Sequence, residues 1–275
     1  MTEMDAVRRM HESNRAAWNE GAAGYDDLIG DAPTLAAGGT TLKPIELLQL
    51  GDLHGWCRRA IHLQCASGAD TLSLVNLGAS EVVGVDISDV HIDNARRKTE
   101  AFGFPALWYR TDLLDTPHEL DGTADLVYTG KGALNWLQDL AGWSAVIYRL
   151  LRPGGRLFLF ESHPIVWLFK EDSPTYDRDR QWSYFRTEPE MSQGWSEAYI
   201  GNKGRDPASF AQKFERLWPV SVIINHLIDA GLRLDRFTEN PDWPFSFSLL
   251  PNVPADEVSE LPQSYSILAS KPQSP

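Results

Sequence analysis

The sequence contains few cysteines. Cys57 and Cys65 are the only two among 275 residues, which is too few for a disulfide framework, and their spacing is not that of a zinc site. Isolated cysteines of this kind are usually small buried hydrophobic residues. We therefore expect reduced thiols and a cytoplasmic location.

Long apolar segments are also missing. A membrane-spanning helix needs about 18 or more apolar residues in a row, and no stretch of this sequence approaches that length. Residues 1–10 include Glu3, Asp5, Arg8 and Arg9 instead of the apolar centre of a signal peptide. The sequence therefore predicts neither a membrane partner nor secretion.

Positive charge is scarce relative to negative charge. The 25 lysines and arginines stand against 38 aspartates and glutamates, which leaves a formal net charge of −13 at pH 7. Nucleic-acid binding normally depends on lysine and arginine side chains that neutralise phosphates. We expect no nucleic acid among the partners, and nothing in the sequence indicates an oligomeric state.

The chain does have the composition of a globular protein, with 43% hydrophobic and 23% charged residues. Between residues 60 and 161, short apolar runs alternate with amphipathic stretches, which is typical of strand-helix units and a parallel sheet. The predicted strands are Ala60–Cys65, Glu81–Asp86, Ala106–Arg110, Ala124–Thr129 and Arg156–Glu161.

Periodicity and end signals predict the helices. Ser88 is a suitable N-cap and Gly103 a suitable end for one helix, and Pro153-Gly154-Gly155 is predicted to form the turn into the fifth strand. The other predicted helices are Met4–Glu20, Lys43–Leu50, one that begins near Asp70, Leu140–Leu151, and Val220–Ala230 with Gly231 after it.

The region after Glu161 differs in composition, and seven of the 10 tryptophans lie at or after Trp136. Two last strands are predicted at Leu232–Thr238 and Tyr265–Ser270. We expect a single doubly wound α/β domain with a mostly parallel seven-stranded sheet. Its predicted parts are N-terminal capping helices (1–57), a core (58–161), an aromatic insertion after strand five (162–218) and a C-terminal helix with the last two strands (219–275).

The most informative segment runs from Ile61 to Gly68, a predicted strand that enters a turn of small residues and then a helix. Such a turn exposes helix N–H groups to a ligand. The next strand ends in Asp86, and a carboxylate about 20 residues beyond such a turn can accept hydrogen bonds from a ribose diol. Because ligands of open α/β sheets bind at the carboxyl ends of the strands, these features predict an adenosine-binding crevice.

At this point the sequence resembles the class I S-adenosylmethionine-dependent methyltransferases, over residues 58–161 and again over 220–270. The segments that match the family's motifs in order are Ile61–Gly68, Val82–Ser88, Arg110–Leu113, Asp125–Thr129 and Leu150–Leu159. The resemblance implies a Rossmann-like fold and S-adenosylmethionine as the cofactor, with S-adenosylhomocysteine as its product.

The resemblance also implies which residues contact the cofactor. The family's first motif has an acidic residue followed by three glycines, and this chain has His62, Gln64, Ala66 and Gly68 at those positions. Ala66 can still permit close backbone approach if its φ is negative. Trp18 is equally explained as a core residue. The expected cofactor contacts are Gln64, Ala66, Gly68, Asp86 at the ribose, Ile87, Asp112 and Leu113 at the adenine, Thr129, and Trp18 with Tyr25 in the N-terminal segment.

Two titratable residues follow strand five, where the resemblance implies the methyl-transfer centre. A histidine titrates near neutral pH and can take a proton from a hydroxyl, phenol or ring nitrogen, so His163 is the predicted general base. Glu161 can orient that imidazole or contact a cationic acceptor. Structural hydrogen bonding is an alternative for both residues. Methyl transfer from a sulfonium needs no metal ion, and none is predicted.

The acceptor is expected between the loop after strand four and the aromatic insertion. Asn135 and Trp136 lie in that loop, and Trp167 and Tyr184 belong to the insertion. Aromatic rings can bound a flat acceptor or attract a cationic one. Packing of Trp136 and of the insertion, and a cap or turn role for Asn135, are alternatives.

The sequence therefore predicts an enzyme that transfers a methyl group to an oxygen or nitrogen of a small molecule. A nicotinamide-dependent oxidoreductase would share the turn and the ribose carboxylate, but its three spaced glycines are missing here. A protein that binds S-adenosylmethionine without catalysis is the other alternative, because the first motif keeps one glycine.

Overall fold

The computed structural model describes residues 2–22, 32–171, 173–186, 188–197, 199–243, 250 and 252–273. Within these residues, seven strands form one sheet in the order β3-β2-β1-β4-β5-β9-β8. Their bounds are β1 Arg59–Leu63, β2 Glu81–Asp86, β3 Ala106–Arg110, β4 Ala124–Gly130, β5 Leu151–Ser162, β8 Arg233–Asn240 and β9 Ser264–Ser270. The prediction of a doubly wound, mostly parallel α/β sheet is confirmed.

The five strands β1 to β5 are parallel, and β9 runs antiparallel to both β5 and β8. Strands buried on both faces read as continuous apolar runs rather than alternating ones. This explains β4, in which every residue is buried. The carboxyl ends of β1, β2 and β4 therefore meet at one edge of the sheet, which is where the site lies.

The helices of the described residues are α1 Glu3–Ala22, α2 Ala32–Ala36, α3 Pro44–Leu50, α4 Ala69–Asn76, α5 Asp89–Phe102, α6 Leu140–Leu150, α7 Val220–Asp229 and α8 Ala255–Val258. The Ser88 hydroxyl accepts a hydrogen bond from the N–H of His91 and caps α5, and Gly103 ends it with φ +70°. Both predicted end signals of this helix are confirmed. None of these helices has the length and apolar character needed to cross a membrane.

The start of β5 differs from the prediction. Residues 153–155 were expected to form a turn before the strand, but pairing begins earlier, where Leu151 lies opposite Ala124. The register then shifts between Ala124 and Leu126, and Gly154 has φ +79°. The proline and glycines thus form an irregularity inside the strand, because the flexible glycines let the chain keep its pairing on either side.

The insertion contains a second sheet of two short antiparallel strands, β6 Glu190–Ser192 and β7 Lys213–Glu215. It is joined to α1 through the Asn14 side chain, whose Oδ1 accepts from the N–H of Phe214 at 2.7 Å and whose Nδ2 donates to its carbonyl at 2.9 Å. The N-terminal helix and the insertion therefore meet over the carboxyl edge of the large sheet. Cys57 and Cys65 are both free and buried.

Candidate active site

A cavity of about 790 Å³ opens at the carboxyl edge of the sheet, bounded by α1, the loops after β1, β2 and β4, and the insertion. Small-molecule and cofactor sites typically have volumes of about 300–1,000 Å³. Most of the predicted site residues line this cavity: Trp18, Gln64, Ala66, Gly68, Asp86, Ile87, Asp112, Leu113, Asn135, Trp136 and Trp167. Thr129, Glu161, His163 and Tyr184 are not among the lining residues, and Tyr25 lies outside the described residues.

The turn after β1 has a left-handed backbone at three residues, although only one of them is glycine. Gln64 has φ +57°, Ala66 has φ +45° and Gly68 has φ +79°. The condition of a negative φ at Ala66 is therefore not met. A left-handed conformation costs a non-glycine residue about 1–2 kcal/mol, and contacts of the turn offset that cost. The Gln64 Nε2 donates to the carbonyl of Ala133 at 2.8 Å, and the Lys98 Nζ donates to the carbonyl of Ser67 at 3.0 Å.

Gly68 is required by space as well as by its backbone angle. A Cβ atom at this position would lie 2.4 Å from the indole of Trp108, which is closer than real contacts allow. The packing around the one remaining glycine of the first motif thus leaves no room for a side chain.

Asp86 ends β2 and joins the two parts of the predicted adenosine crevice. Its Oδ2 accepts from the N–H of Ala66 and its Oδ1 from the N–H of Ser88, both at 2.8 Å. Each carboxylate oxygen can accept a second hydrogen bond. The side chain lines the cavity, so this remaining capacity is available to a ligand with two neighbouring hydroxyl groups.

Asp112 is held by a histidine that the sequence analysis did not single out. The His11 Nε2 accepts from the N–H of Gln138 at 3.2 Å, so its Nδ1 carries the proton and donates to Asp112 Oδ2 at 2.8 Å. Burial acts to raise the pKa of Asp112, but His11 and the N–H of Leu114 more than offset it, and the pKa lies below its usual value. Asp112 is therefore an ionised acceptor at the cavity wall.

An aromatic cluster forms the part of the cavity under α1 and the insertion. The ring centroid of Trp18 lies 5.0 Å from that of Trp136, 4.7 Å from that of Trp195 and 6.3 Å from that of Tyr199. The Lys213 Nζ lies 5.3 Å from the Trp195 centroid. All five residues line the cavity. Trp195, Tyr199 and Lys213 were not predicted as site residues, and only the aromatic richness of the insertion pointed toward them.

A buried charged cluster forms another part of the wall. The Lys131 Nζ lies 2.9 Å from Asp70 Oδ2 and 3.1 Å from Glu46 Oε2. Asp70 and Lys131 line the cavity. This cluster was not predicted from the sequence, although the position of Lys131 between Gly130 and Gly132 was a signal of a tightly turned loop at the site.

Glu161 organises the loop after β4. Its Oε2 accepts from the N–H of Gly132 at 2.6 Å and from that of Ser162 at 3.0 Å, and its Oε1 accepts from the N–H of Leu134 at 2.9 Å. Burial raises the pKa of this carboxyl to about 7, although the backbone N–H groups act to lower it. The side chain faces backbone rather than the cavity and therefore fixes the loop that carries Lys131 and Ala133.

His163 is hydrogen-bonded through both ring nitrogens. Nδ1 accepts from the N–H of Ile165 at 3.2 Å, and Nε2 lies 3.3 Å from Glu239 Oε1. Burial lowers the pKa of His163 more than Glu239 raises it. His163 is 6% exposed and is not among the residues that line the cavity.

Two more predicted residues lie behind the wall. Thr129 is fully buried, and its Oγ1 has no hydrogen-bond partner among the described residues. The Tyr184 hydroxyl accepts from the N–H of Val220 at 3.3 Å, at the start of α7. The structure therefore brings neither residue to the cavity surface with the other site residues.

The lining residues fit S-adenosylmethionine in their chemistry. The wall offers carboxylate acceptors at Asp86 and Asp112 for the hydroxyl and amino groups of a nucleoside, together with apolar contacts at Ile87 and Leu113. Gln64 Oε1 is buried and has no hydrogen-bond partner among the described residues. An unpaired buried oxygen costs free energy unless a ligand supplies a donor.

Comparisons with known proteins agree with this chemistry. The family model of the methyltransferase domain matches residues 60–155. An uncharacterised protein from Haemophilus influenzae is 24% identical over 77% of this chain and 83% of its own length. A demethylmenaquinone methyltransferase from Thermus thermophilus is 34% identical, but the match spans 43% of this chain and 59% of that protein.

Solved structures show the same fold. A candidate S-adenosylmethionine-dependent methyltransferase from Listeria monocytogenes superposes with a TM-score of 0.60 at 19% identity, over 83% of this chain and 97% of that chain. The geranyl diphosphate C-methyltransferase from Streptomyces coelicolor, solved with S-adenosylhomocysteine, gives a TM-score of 0.52 at 15% identity, over 82% and 77% of the two chains. The domain match, these relatives and the fold thus agree with the resemblance of this chain to the class I S-adenosylmethionine-dependent methyltransferases.

Proposed function

We propose that the protein transfers a methyl group from S-adenosylmethionine to an oxygen or nitrogen of a small, flat molecule. The observation that supports this most strongly is the continuity of the cavity. One wall has the nucleoside-binding chemistry of Asp86 and Asp112, and another has the aromatic cluster of Trp18, Trp136 and Trp195. A cofactor and an aromatic acceptor can therefore lie in one enclosed space.

In the proposed complex, Asp86 accepts hydrogen bonds from the ribose hydroxyls, and Asp112 accepts one from the adenine amino group. The turn of Gln64, Ala66 and Gly68 lies along the cofactor. Ile87 and Leu113 contact the adenine base. The Asp86 carboxylate also accepts a hydrogen bond from the N–H of Ala66, so the same side chain shapes the turn and binds the ligand. Trp18, on α1, closes the cavity over both ligands.

The bound cofactor supplies an electrophilic methyl group, and its sulfur leaves with the electrons of the carbon–sulfur bond. The protein contributes orientation and exclusion of water, because an in-line displacement depends mainly on alignment. No metal ion takes part in this proposal. The rings of Trp136, Trp167 and Trp195 bound the acceptor, and Asn135 lies in the same loop as Trp136.

We assign Glu161 a positioning role in this scheme. Its carboxylate holds the N–H groups of Gly132 and Leu134, and the loop so formed presents the Ala133 carbonyl to Gln64. His163 has both nitrogens engaged, so we propose that it supports the end of β5. Among the described residues of the insertion, the carboxylates of Glu171 and Glu215 line the cavity, and they can receive the acceptor's proton.

The comparisons favour this proposal over a nicotinamide-dependent oxidoreductase, since the named relatives are methyltransferases. The Streptomyces coelicolor neighbour is named a C-methyltransferase, which makes carbon a second candidate for the acceptor atom. A partnership with small molecules rather than nucleic acid, and a cytoplasmic location, stay predictions from composition.

The test uses trideuteromethyl-labelled S-adenosylmethionine and a protein-free metabolite extract of low molecular mass, with mass spectrometry of the products. We expect a labelled aromatic product whose methyl group is on oxygen or nitrogen, and its loss with the Asp86→Ala variant. A label found on carbon would correct the acceptor atom. If the protein binds the cofactor but no labelled product forms, the result would favour the non-catalytic alternative.

A further inference from the structure

We propose that Lys213 and Glu215 bind and activate the hydroxyl group of a phenolic acceptor. The Glu215 carboxylate takes the proton of the phenol, and the Lys213 ammonium stabilises the oxyanion that results. This inference rests on the proposed function and deepens it, because it names the substrate class and two catalytic residues. Both side chains belong to the insertion and line the cavity together with the aromatic cluster.

The strand β7 places the two side chains together. Residues i and i+2 of a strand point to the same face of its sheet, so Lys213 and Glu215 share one face. The Asn14 side chain on α1 exchanges two hydrogen bonds with the backbone of the residue between them. The N–H of Arg216 donates to the carbonyl of Asn135 at 2.8 Å. The pair is therefore held on a fixed strand between α1 and the loop after β4.

The Lys213 ammonium has unused hydrogen-bond donors. Its Nζ donates to Glu215 Oε2 at 2.7 Å, and Glu215 is its one hydrogen-bond partner among the described residues. An ammonium group has three donors, and Lys213 is only 9% exposed. Buried donors without an acceptor cost free energy. An oxygen atom of a ligand in the cavity would remove that cost.

Aromatic rings surround this ammonium. The Lys213 Nζ lies 5.3 Å from the ring centroid of Trp195 and 5.7 Å from that of Trp136, within the range of about 6 Å for a cation–π interaction. Trp18 adds a third ring to the same wall. An aromatic acceptor packed on these rings would bring a polar substituent on its edge to Lys213. Because apolar walls exclude water, they strengthen the attraction between the ammonium and an oxyanion.

The Glu215 carboxylate also has unused capacity. Its Oε2 accepts from Lys213 and, at 3.4 Å, from the Ser192 hydroxyl, whereas Oε1 accepts no hydrogen bond within the described part of the chain. The Glu215 side chain is 16% exposed. Glu171 also lines the cavity, but it is exposed and accepts from the Ser196 hydroxyl. Glu215 is therefore the carboxylate that can accept a proton directly beside the ammonium.

The charges of the pair favour a phenol over a charged acceptor. Lys213 and Glu215 have opposite charges, so together they add no net charge to this wall. A carboxylate ligand would place a second negative charge beside Glu215, and a cationic amine would place a second positive charge beside Lys213. Such juxtaposed like charges destabilise a complex. A phenol binds uncharged, and when it gives its proton to Glu215, the total charge stays the same.

The proposed step balances in atoms and electrons. The O–H bond of the phenol breaks, and its proton passes to Glu215. A lone pair of the phenol oxygen forms the bond to the methyl carbon, and the electrons of the carbon–sulfur bond stay on sulfur. The products are a methyl ether, S-adenosylhomocysteine and protonated Glu215, which returns its proton to water. Lys213 stabilises the negative charge on oxygen until the new bond forms.

The test follows the ionisation of a bound phenol by absorbance. The probe is 4-nitrophenol, whose ionised form absorbs visible light, titrated with pH in an excess of protein saturated with S-adenosylhomocysteine. We expect Lys213→Met to raise the pKa of the bound phenol relative to wild type and Glu215→Gln to lower it, because the two variants remove opposite charges beside its oxygen. Each should shift the acid dissociation constant by about 10- to 100-fold.

The matched controls are Lys170→Met and Glu100→Gln, at exposed residues outside the cavity lining. They should change the acid dissociation constant of the bound phenol less than about twofold. Wild-type protein that does not bind S-adenosylhomocysteine contradicts the proposed function itself. Protein that binds S-adenosylhomocysteine but not 4-nitrophenol contradicts this inference alone. So do Lys213→Met and Glu215→Gln variants that shift the pKa no more than the controls or in the same direction, which makes the two residues a structural ion pair.

A second measurement uses the wild-type protein, in case a variant does not fold. The complex with S-adenosylhomocysteine is titrated with 4-nitroanisole, in which a methyl group replaces the hydroxyl proton of 4-nitrophenol. We expect it to bind at least about tenfold more weakly than 4-nitrophenol, because the ether cannot donate to Glu215 or form an oxyanion beside Lys213. Equal affinities overturn the proposal.

Discussion

The Asp86 carboxylate accepts a 2.8 Å hydrogen bond from the backbone N–H of Ala66. This contact joins the end of β2 to the turn after β1. In that turn Gln64 and Ala66 have left-handed backbones, although neither is glycine. A side chain that both shapes the turn and faces the cavity is sensitive to change. Ligand binding should therefore depend on Asp86 more than on other acidic residues of the site.

The first prediction concerns Asp86→Ala. We expect it to weaken S-adenosylhomocysteine binding by about 1.5–3 kcal/mol, the range for hydrogen bonds to a charged group, while the protein stays folded. Calorimetry measures the affinity and circular dichroism the fold. Asp93→Ala, at an exposed α5 residue paired with Arg96, is the control. Unchanged affinity in a folded Asp86→Ala protein would remove the assignment of the ribose site.

The second prediction concerns Asp112→Ala. We expect a smaller loss of ligand affinity than for Asp86→Ala, because the adenine amino group makes one hydrogen bond and Ile87 adds apolar contact. We also expect a loss of about 1–3 kcal/mol in the free energy of unfolding, since the buried His11 Nδ1–H loses its acceptor. Calorimetry and denaturant titration measure the two effects. An affinity loss at least equal to that of Asp86→Ala would reverse the ranking.

The third prediction is a pH dependence that comes from Glu161. Burial raises the pKa of its carboxyl to about 7 from 4.5, so between these values the folded protein keeps a proton that the unfolded chain has lost. The contribution of Glu161 to stability is then present below about pH 4.5 and is lost as the pH rises to about 7. We expect the difference in unfolding free energy between wild type and Glu161→Gln to fall across this window. A difference that is flat with pH would show that Glu161 is ionised throughout.

The fourth prediction concerns the base role that the sequence suggests for His163. Because Ile165 and Glu239 occupy its two nitrogens, we expect His163→Ala to keep its methyl-transfer rate within about tenfold of wild type. The pH dependence of the rate should keep its shape. A loss of about 10²- to 10⁴-fold, with cofactor affinity intact, is the signature of a lost general base. That result would restore His163 as the base.

The strands of the core could be predicted closely from the sequence. Two strands match their predicted bounds, Glu81–Asp86 and Ala106–Arg110. They could be predicted because a short apolar run between turn residues is typical of a strand. Asp86 was found for the same reason, since it ends such a run. The strands β6 and β7 were not predicted, because three residues each are too few for an alternating pattern.

The contacts that shape the site could not be predicted in this way. The ion pair of Lys131 with Asp70 joins the loop after β4 to the first turn of α4, and His11 reaches Asp112 from a helix about a hundred positions earlier. No spacing in the sequence records such pairs. The positive φ of Ala66 was also missed, because local sterics disfavour it and tertiary hydrogen bonds from distant residues stabilise it.

A crystal structure of the complex with S-adenosylhomocysteine would show where each part of the ligand binds. We expect the ribose hydroxyls within hydrogen-bond distance of Asp86, the adenine amino group beside Asp112, and the sulfur facing the space bounded by Trp136 and Trp195. A ligand bound with its nucleoside away from Asp86, or bound outside this cavity, would contradict the proposed function.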